Sequence, residues 1–508
     1  MRDRRVLLLF VVVCLVLGAF ITRRWYLNRS VYRADFVGSV RGGEMPAPGS
    51  GLRILIFAPH EDDETLGCAG CIGKAMQAGA RVHLVLVTNG EYPELDIVLF
   101  EDTLRMQPEE FIRLGYMRQK ETLAAMEYLG LPRDAVTFLG YPNQYLNQMW
   151  LPGHWLPDSP VRSRRTRSTR SPYSNSMTRG AVYCGQSALQ DVETVLRREK
   201  PDIVITLHPN DVHVDHWPTY TLVRFALSEL AARGEQFARE CQVYTYLIHR
   251  DPWPRPRGYH PRLRLLPPVP LAETGQSDWL ILPLTDLETA RKHRATSLYK
   301  TQGGGIDRLL LAFSRSNELF GEVPIRPWPA SENVPDTEVI RDPTGDLTSN
   351  AGDPHADIRL VSLSRKGSRM KVTIETRKAA TGKTCYRLSI HGGGSGPADR
   401  TIAEYAWKGA QPTGHVLRDG VLWKIVPQEM RADIAGGAAV LEADWPFTGR
   451  EPAFFMIRAW TTEGRKVIDQ TATETFAVRG GRRDVSGFKL QVSGSGHLDP
   501  TRDLQPAT

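Results

Sequence analysis

The sequence LRILIF at residues 52–57, followed at once by APHEDDE at residues 58–64, decides the fold. Five of the six residues in the first segment are apolar, and they do not alternate with polar ones. Such a run is typical of a strand that is buried on both faces of a parallel sheet. The small-residue segment Thr65–Gln77 then predicts a helix, and Val82–Val87 predicts a second strand.

The alternation of strands and helices continues to Tyr299. Further strands are expected at Ala135–Leu139, Ile203–Leu207, Val243–Ile248 and Trp279–Leu282, and further helices at Arg118–Leu129, Ser187–Glu199, Trp217–Ala232 and Leu287–Tyr299. This order predicts an α/β domain over residues 52–321. Its sheet is expected to be mostly parallel and Rossmann-like, with helices on both faces.

The pattern changes in the C-terminal third of the chain. Residues 322–355 are rich in Pro, Asp and Ser and predict a linker, so we expect residues 51–320 to form an active unit alone. Beyond the linker, apolar and polar residues alternate in short runs, as in Met370–Glu375. Residues 356–480 are therefore expected to form an all-β, sandwich-like domain, and the Gly- and Ser-rich residues 481–508 a flexible tail.

The N-terminus, residues 1–37, predicts a basic end followed by one transmembrane helix. Val6–Ile21 is a run of 16 uncharged residues with arginines on both sides. As a helix it would span about 24 Å, a little less than a hydrocarbon core of about 30 Å. Arg23 and Arg24 make a poor cleavage site, which favours an uncleaved anchor over the alternative of a cleaved signal peptide. We expect a single-pass membrane protein with the domain after the 38–51 linker outside the cytoplasm.

The overall composition excludes several classes of protein. Lys and Arg number 64 and Asp and Glu 57, a net charge of +7 that is mild for 508 residues. No nucleic-acid-binding motif accompanies it, so no nucleic-acid partner is expected. Six cysteines are too few for a disulfide-built scaffold.

Two polar segments follow predicted strands and could hold a metal. His60, Asp62 and Asp63 follow the first strand, and the segment His208–His216 (HPNDVHVDH) follows a later one. Catalytic groups in open α/β sheets collect at the carboxyl ends of strands. Imidazole and carboxylate ligands of this kind suit zinc with an open position for water. A simple helix cap by Asp62 or Asp63 is the alternative for the first segment alone.

These segments resemble the motifs of the PIG-L/LmbE-like deacetylase family. HEDDE at residues 60–64 is similar to the family's HPDDE motif, and HVDH at residues 213–216 is similar to its HxDH motif. The resemblance extends over residues 52–302. It implies a Zn²⁺-dependent hydrolase that removes the acetyl group from N-acetylglucosamine attached to a lipid, a thiol precursor or a glycan.

The resemblance also implies a role for each matching residue. The metal ligands would be His60, Asp63 and His216. Asp62 would be the general base, and His213 would stabilise or protonate the intermediate and leaving amine, oriented by Asp215. Substrate contacts would come from Arg118 and Asn143, where the family often has Asp in place of Asn143; Glu61 replaces the usual Pro.

Two other functions stay open at this stage. One is a metal-dependent amidase with a non-sugar substrate, and the other is a catalytically inert, membrane-anchored glycan-binding protein. The intact base and ligand types argue against the inert protein. The pair Cys68 and Cys71 could suggest redox chemistry, but small residues that let a helix pack closely explain it better. An arginine-rich run at 162–179 is either a solvated insertion or a contact for an anionic lipid or polysaccharide.

Overall fold

The computed structural model describes residues 43–92, 107–303, 307–347 and 353–479, together with residue 18. Apart from that one residue, the predicted anchor at Val6–Ile21 lies outside the described residues, as does the predicted tail at 481–508. Among the helices that the structure describes, none is both long and apolar enough to cross a membrane.

A seven-stranded sheet forms the centre of the first domain. Its strands are β1 (Arg53–Ala58), β2 (Arg81–Thr88), β3 (Val136–Tyr141), β4 (Ile203–Leu207), β5 (Gln242–Tyr246), β6 (Asp278–Pro283) and β7 (Asn317–Glu322). They lie in the order β3-β2-β1-β4-β5-β7-β6. The first five strands in that order are parallel, and β7 is antiparallel to both of its neighbours. The prediction of a mostly parallel sheet is confirmed.

Helices cover both faces of this sheet. They are α1 (Asp63–Ala78), α2 (Pro108–Leu129), α3 (Leu146–Met149), α4 (Gly185–Glu199), α5 (His216–Ala232), α6 (Gln236–Glu240), α7 (Val269–Thr274) and α8 (Asp286–Thr296). Ile54 and Ile56 of β1 pack with α1, α2 and α8, whereas Leu55 and Phe57 pack with α4 and α5. The uninterrupted apolar run of β1 is explained, because alternate residues enter two different cores.

Two further sheets follow in the C-terminal part. Their strands are β8 (Arg326–Pro329), β9 (Asn333–Arg341), β10 (Ile358–Lys366), β11 (Arg369–Thr376), β12 (Cys385–Gly393), β13 (Thr401–Lys408), β14 (Gln411–Arg418), β15 (Val421–Ile425), β16 (Arg431–Ala435), β17 (Ala438–Asp444), β18 (Phe454–Glu463), β19 (Lys466–Gln470) and β20 (Glu474–Arg479). One sheet has the order β16-β17-β11-β10-β9. The other has the order β15-β14-β13-β12-β18-β20-β8, with β19 also paired to β18. Val361 and Ile374 of the first sheet share one apolar core with Leu388 and Ile457 of the second, so the two sheets form a sandwich.

The segment expected to be a linker contains strands of this sandwich. Within residues 322–355, β8 pairs with β20 and β9 pairs with β10. Pro and Asp are common in turns, and they hid these two edge strands from the sequence pattern. The linker expectation therefore applies at most to the short connections between strands.

The sandwich packs tightly against the α/β domain. The Phe454 ring lies 4.9 Å from the Phe225 ring of α5, and the His391 ring stacks on Trp150 at 4.6 Å. The Arg400 guanidinium is 2.7 Å from the Glu229 carboxylate. Phe454 and Met456 of the sandwich belong to the same apolar core as Phe225, which argues against the expectation that residues 51–320 form an independent unit.

Candidate metal centre and active site

The two polar segments meet because their strands are neighbours. Strand β1 pairs with β4, with Ile54 opposite Ile203 and Ile56 opposite Ile205. The chain leaves the carboxyl end of each strand at the same edge of the sheet. His60 and Asp63 follow β1, and His216 begins α5 after β4. The sheet therefore brings the residues of both predicted motifs together.

The three predicted ligands present a compact face of donor atoms. His60 Nδ1 lies 3.1 Å from His216 Nε2, and Asp63 Oδ2 lies 3.2 Å from each of these nitrogens. Zinc bonds of about 2.0–2.1 Å to such ligands make the edge of a tetrahedron roughly 3.3–3.4 Å long. The three atoms thus match one face of a tetrahedral metal site and leave the fourth position free for water or substrate.

The protonation of Asp63 also suits a metal ligand. Burial would raise the pKa of its carboxyl, but the charge of His216 and hydrogen bonds from His216 and His60 hold that pKa well below its usual value. A permanently ionised carboxylate beside two imidazoles is the donor set expected for a divalent transition metal. Nitrogens of His213 and His249 lie within 4.8 Å of members of this group.

A second carboxylate orients each ligand histidine. His216 Nδ1 is 3.0 Å from Asp211 Oδ2, which also accepts hydrogen bonds from the backbone nitrogens of Ile248 and His249. His60 Nε2 is 3.1 Å from Asp215 Oδ2. Each imidazole thus directs one nitrogen at the metal position and the other at a carboxylate, an arrangement that fixes the ring and strengthens the ligand.

The position of Asp215 differs from the sequence expectation. We expected its carboxylate to orient His213, but that carboxylate binds His60 and accepts hydrogen bonds from the backbone nitrogens of Gln144 and Leu146. The contact with His213 is made instead by the Asp215 backbone nitrogen, which donates to His213 Nδ1 at 3.2 Å. The physical reason is that Asp215 immediately precedes α5, and there its side chain points towards the loop after β1, which carries His60.

His213 lies beside the metal ligands as a neutral base. Its ring centroid is 4.7 Å from those of His60 and His216. Burial, followed by the positive charges of these neighbours, lowers the pKa of His213 well below its usual value. Two donors face the ring: the Asp215 backbone nitrogen donates to Nδ1, and the Gln144 side-chain nitrogen, which can only donate, lies 3.0 Å from Nε2.

Asp62 occupies a strained position at the wall of the site cavity. It precedes α1 with a φ angle of 117°, a region that residues other than glycine rarely adopt. The residue is 8% exposed and lines the same cavity as His60, Asp63 and His213. Backbone strain of this kind is concentrated at functional sites, where the surrounding structure maintains it.

Arg118 of α2 and Asn143, which follows β3, also line that cavity. Arg118 donates to the Gln302 side-chain oxygen at 2.8 Å, and Asn143 donates its backbone nitrogen to Glu91 at 3.1 Å. Within the described parts of the chain, Arg118 Nε and Asn143 Oδ1 are buried without a hydrogen-bond partner. Both residues thus carry a polar atom at the cavity wall whose hydrogen-bonding capacity is unused.

The sequence analysis did not identify two buried carboxyl groups behind this wall as site residues. Glu61 and Glu91 are at most 1% exposed. Burial raises the pKa of Glu61 to about 8, although the nearby Arg118 charge lowers it. A methyl group built on Gly90, which has a φ of 53°, would lie 2.3 Å from Glu61 Oε2 and 2.5 Å from an Arg118 nitrogen. The Glu61 side chain, which stands where the family has Pro, therefore lies close to the Arg118 guanidinium.

The site cavity is adjacent to a larger one of about 480 Å³. The two share Gln144, His213, Ile248, His249 and Leu309 as lining residues. Tyr92 lies on the other side of the site, and the Arg165 guanidinium stacks over its ring at 4.5 Å. At least one arginine of the basic run is therefore placed next to the cavity rather than away from it.

Comparisons with known proteins agree with the motifs. Residues 55–227 match the family model described as PIG-L, GlcNAc-PI de-N-acetylase. This range contains every predicted site residue, and the predicted resemblance to the PIG-L family is confirmed for it.

Curated relatives and solved structures are also similar to part of the chain. A 1D-myo-inositol 2-acetamido-2-deoxy-alpha-D-glucopyranoside deacetylase of Kribbella flavida is 28% identical over 36% of this chain and 55% of its own length. The protein of that name from Segniliparus rotundus is 29% identical over 38% and 55%. The N,N'-diacetylchitobiose deacetylase from Pyrococcus horikoshii is 19% identical over 49% and 70%, with a TM-score of 0.29, too low to bear on function. The chain thus spans about half the length of the curated relatives it matches.

Proposed function

We propose that this protein is a zinc-dependent hydrolase that removes the N-acetyl group from an N-acetylglucosamine-containing glycan, glycolipid or glycoside. The observation that carries the proposal is the face formed by His60, Asp63 and His216, with Asp62 and His213 beside it. The PIG-L family match over residues 55–227 supports the reaction. The names of the curated relatives support an acetamido sugar as substrate.

Zinc would be held by His60 Nδ1, Asp63 Oδ2 and His216 Nε2. When bound there, zinc lowers the pKa of water from about 15.7 to about 7 and polarises an amide carbonyl. The chain's own contribution is to hold the three ligands rigidly, through Asp215 on His60 and Asp211 on His216. The buried setting keeps competing water away from these ligands.

Asp62 and His213 would handle the protons. Asp62 lies at the cavity wall as a carboxylate, and we assign it to accept the proton from the attacking water. His213 would stabilise the developing oxyanion and pass the proton that Asp62 accepts to the leaving amine. The Gln144 side chain and the Asp215 backbone nitrogen contact the two ring nitrogens of His213 and hold the ring in place.

Arg118 and Asn143 would bind the sugar. Both side chains line the cavity, and we assign them one donor and one acceptor role towards substrate hydroxyls or the acetamido group. A site with buried polar atoms discriminates strongly against ligands that leave them unpaired. The group attached to the sugar could be a lipid, a polymer or a small glycoside, and the experiment below compares these three classes.

The deciding experiment is a measurement of zinc content together with acetate release. The purified protein is offered N-acetylhexosamine derivatives of those three classes and, separately, non-sugar acetamides. We expect about one catalytic zinc per chain and acetate release from at least one sugar class. Release from the non-sugar acetamides alone would identify the alternative amidase. Sugar binding without release from any compound would identify the inert glycan-binding alternative.

We also propose, from the sequence alone, that Val6–Ile21 anchors the chain in a membrane with the PIG-L domain outside the cytoplasm. The expected result is that the full chain sediments with membranes and resists extraction by high salt. Deleting residues 1–37 should release it into the soluble fraction with its activity unchanged. A mature protein that begins after about residue 22 would instead show a cleaved signal peptide.

A further inference from the structure

A second cluster of carboxylates lies between the sandwich and the PIG-L domain. Asp342 follows β9, Asp346 lies in the next loop, and Asp469 belongs to β19. One oxygen from each of these three side chains lies within 4.8 Å of the other two. Asp357, which is fully buried, contributes a fourth negative charge nearby. This group shares no residue with the His60 site.

Several carboxylate oxygens in and beside the cluster lack the partners that burial requires, although Asp469 Oδ2 accepts a hydrogen bond from the Ile358 backbone nitrogen. Asp342 is 4% exposed, and neither of its oxygens has a hydrogen-bond partner in the described ranges. Over those same ranges, Asp346 Oδ1 and Asp357 Oδ1 are also buried without a partner. Buried charges are normally paired or bind a metal, because desolvation of an isolated carboxylate is very costly.

The arginines around the cluster do not satisfy these atoms. Arg250 pairs with Asp346 through Oδ2. Arg458 donates to the Gln470 side chain and the Thr471 carbonyl while its guanidinium stacks on the Trp217 ring at 3.7 Å. Asp342 is thus left facing the other carboxylates.

Repulsion between the carboxylates raises the pKa values of two members of the cluster. Burial, and then the charges of Asp469 and Asp346, raise the pKa of Asp342 well above its usual value. Burial and the Asp346 charge raise the pKa of Asp469 to about 8. An additional positive charge at this position would reverse both effects.

We propose that Asp342, Asp346 and Asp469 bind a hard divalent cation, calcium in the first instance. All the donors are oxygens, which calcium prefers and zinc does not. Calcium bonds of 2.3–2.6 Å place opposed ligands about 4.6–5.2 Å apart, and the three oxygens lie within that span of one another.

The cation would connect the sandwich to the catalytic loop. Arg250, which pairs with Asp346, also donates to the Asn210 carbonyl at 3.1 Å. Gln470, next to Asp469, donates to the Val212 carbonyl at 2.7 Å. Both carbonyls belong to the loop that leads to His213 and His216. Calcium bound at this junction would therefore stabilise the packing of the sandwich against that loop.

The test is calcium binding by the full chain. It is measured by equilibrium dialysis with radioactive calcium in the presence of saturating zinc. We expect one calcium per chain at a free concentration of about 1 mM or below. Asp342→Asn should abolish this binding. Asp444→Asn is the matched control, because the Asp444 side chain is 59% exposed and lies in the same domain.

Thermal unfolding supplies an independent readout that does not depend on the zinc site. Calcium should raise the midpoint of the wild type and of Asp444→Asn by at least about 2 °C and leave Asp342→Asn unchanged. Without calcium, Asp342→Asn should be at least as stable as the wild type, since it removes the repulsion between this buried carboxyl and the neighbouring carboxylates. If the wild type binds no calcium at 1 mM and shows no shift, the proposal is wrong, whatever the variants do. Equal binding by Asp342→Asn would also overturn it.

Discussion

Two neighbouring aspartates with the same chemistry have different surroundings at the candidate centre. Asp63 is held between His60 and His216, 3.2 Å from each nearest nitrogen. Asp62 lies at the cavity wall on a strained backbone and is absent from the group of donor atoms that could hold a metal, as far as the described chain shows. Their roles should therefore separate on mutation.

We predict that Asp62→Asn keeps its zinc but loses turnover, whereas Asp63→Asn loses zinc. An amide cannot accept the proton, and loss of one positioned general base costs about 10²–10⁴-fold in rate. An amide oxygen is also a poorer zinc ligand than a carboxylate. The measurement is zinc per chain and acetate release for each purified variant. The opposite pattern of zinc loss would reverse the two assignments, and full activity in Asp62→Asn would refute the mechanism.

Asp211 provides a second prediction at this scale. Its carboxylate fixes His216 through Nδ1 at 3.0 Å, so Asp211→Asn should weaken zinc binding by about 10–100-fold. Asp191→Asn is the control, because Asp191 is also buried and accepts hydrogen bonds from Tyr141 and Thr178 away from the site. Zinc affinity is measured by competition with a chelator. Equal affinities in the two variants would remove Asp211 from the metal site.

The sequence predicted three ligand residues that the structure brings together, but not the partners of the histidines. The motif positions were enough to predict that His60, Asp63 and His216 meet, since adjacent parallel strands end at the same edge of the sheet. Asp211 and Asp215 both lie within a few residues of His213 and His216 along the chain. The turns before α5 decide which imidazole each carboxylate reaches, and those turns depend on contacts with Gln144 and Ile248 from elsewhere in the sequence.

At the scale of elements, α1 depends on glycines for its close approach to the sheet. A methyl group built on Gly67 would lie 2.2 Å from the Tyr246 ring of β5, and one on Gly70 would lie 2.4 Å from Leu284. Cys68 and Cys71 each directly follow one of these glycines and are buried, and burial raises the pKa of both thiols. The close-packing interpretation of this segment is thus supported over redox chemistry, which needs an accessible thiolate.

We predict that Gly67→Ala destabilises the protein by about 1–3 kcal/mol, the usual cost of overpacking a core. Gly73→Ala in the same helix should be neutral or stabilising by up to about 1 kcal/mol, because nothing lies within 4 Å of the added methyl group and alanine favours helix. The free energy of unfolding in urea is the quantity to compare. A tolerated Gly67→Ala would show that the helix can shift from the sheet.

Most elements of the α/β domain followed from the sequence, with two instructive differences. Helix α2 begins at Pro108, ten residues before the expected start at Arg118, and the Glu110 carboxylate accepts from the Gln107 backbone nitrogen at 2.6 Å. The first ten residues of α2 have weak apolar periodicity. The start of the helix is therefore indicated by its capping residues and not by a pattern of buried residues. Strand β7 was missed because it reverses direction at the edge of a parallel sheet, which no βαβ pattern predicts.

At the scale of the whole molecule, the sandwich completes the α/β domain rather than following it on a linker. The alternating residues Met370–Glu375 correctly predicted a strand, which is β11. The packing against α5 could not be predicted, because residues such as Phe454 and His391 look like ordinary sandwich residues in the sequence. They bury the Phe225 and Trp150 side chains of the other domain.

The last prediction concerns this junction. A fragment of residues 43–322 would expose Phe225, Trp150 and Trp217, which are at most 5% exposed in the intact chain. It would also leave Glu229 without Arg400. We expect the fragment to be poorly soluble, with a lower urea midpoint and no acetate release, whereas a chain ending at residue 479 should match the full protein. Soluble yield, unfolding midpoint and acetate release are compared for the two truncations. A fragment that unfolds at the midpoint of the full chain and releases acetate at its rate would show that the α/β domain needs no sandwich, because its exposed apolar residues would then cost it nothing.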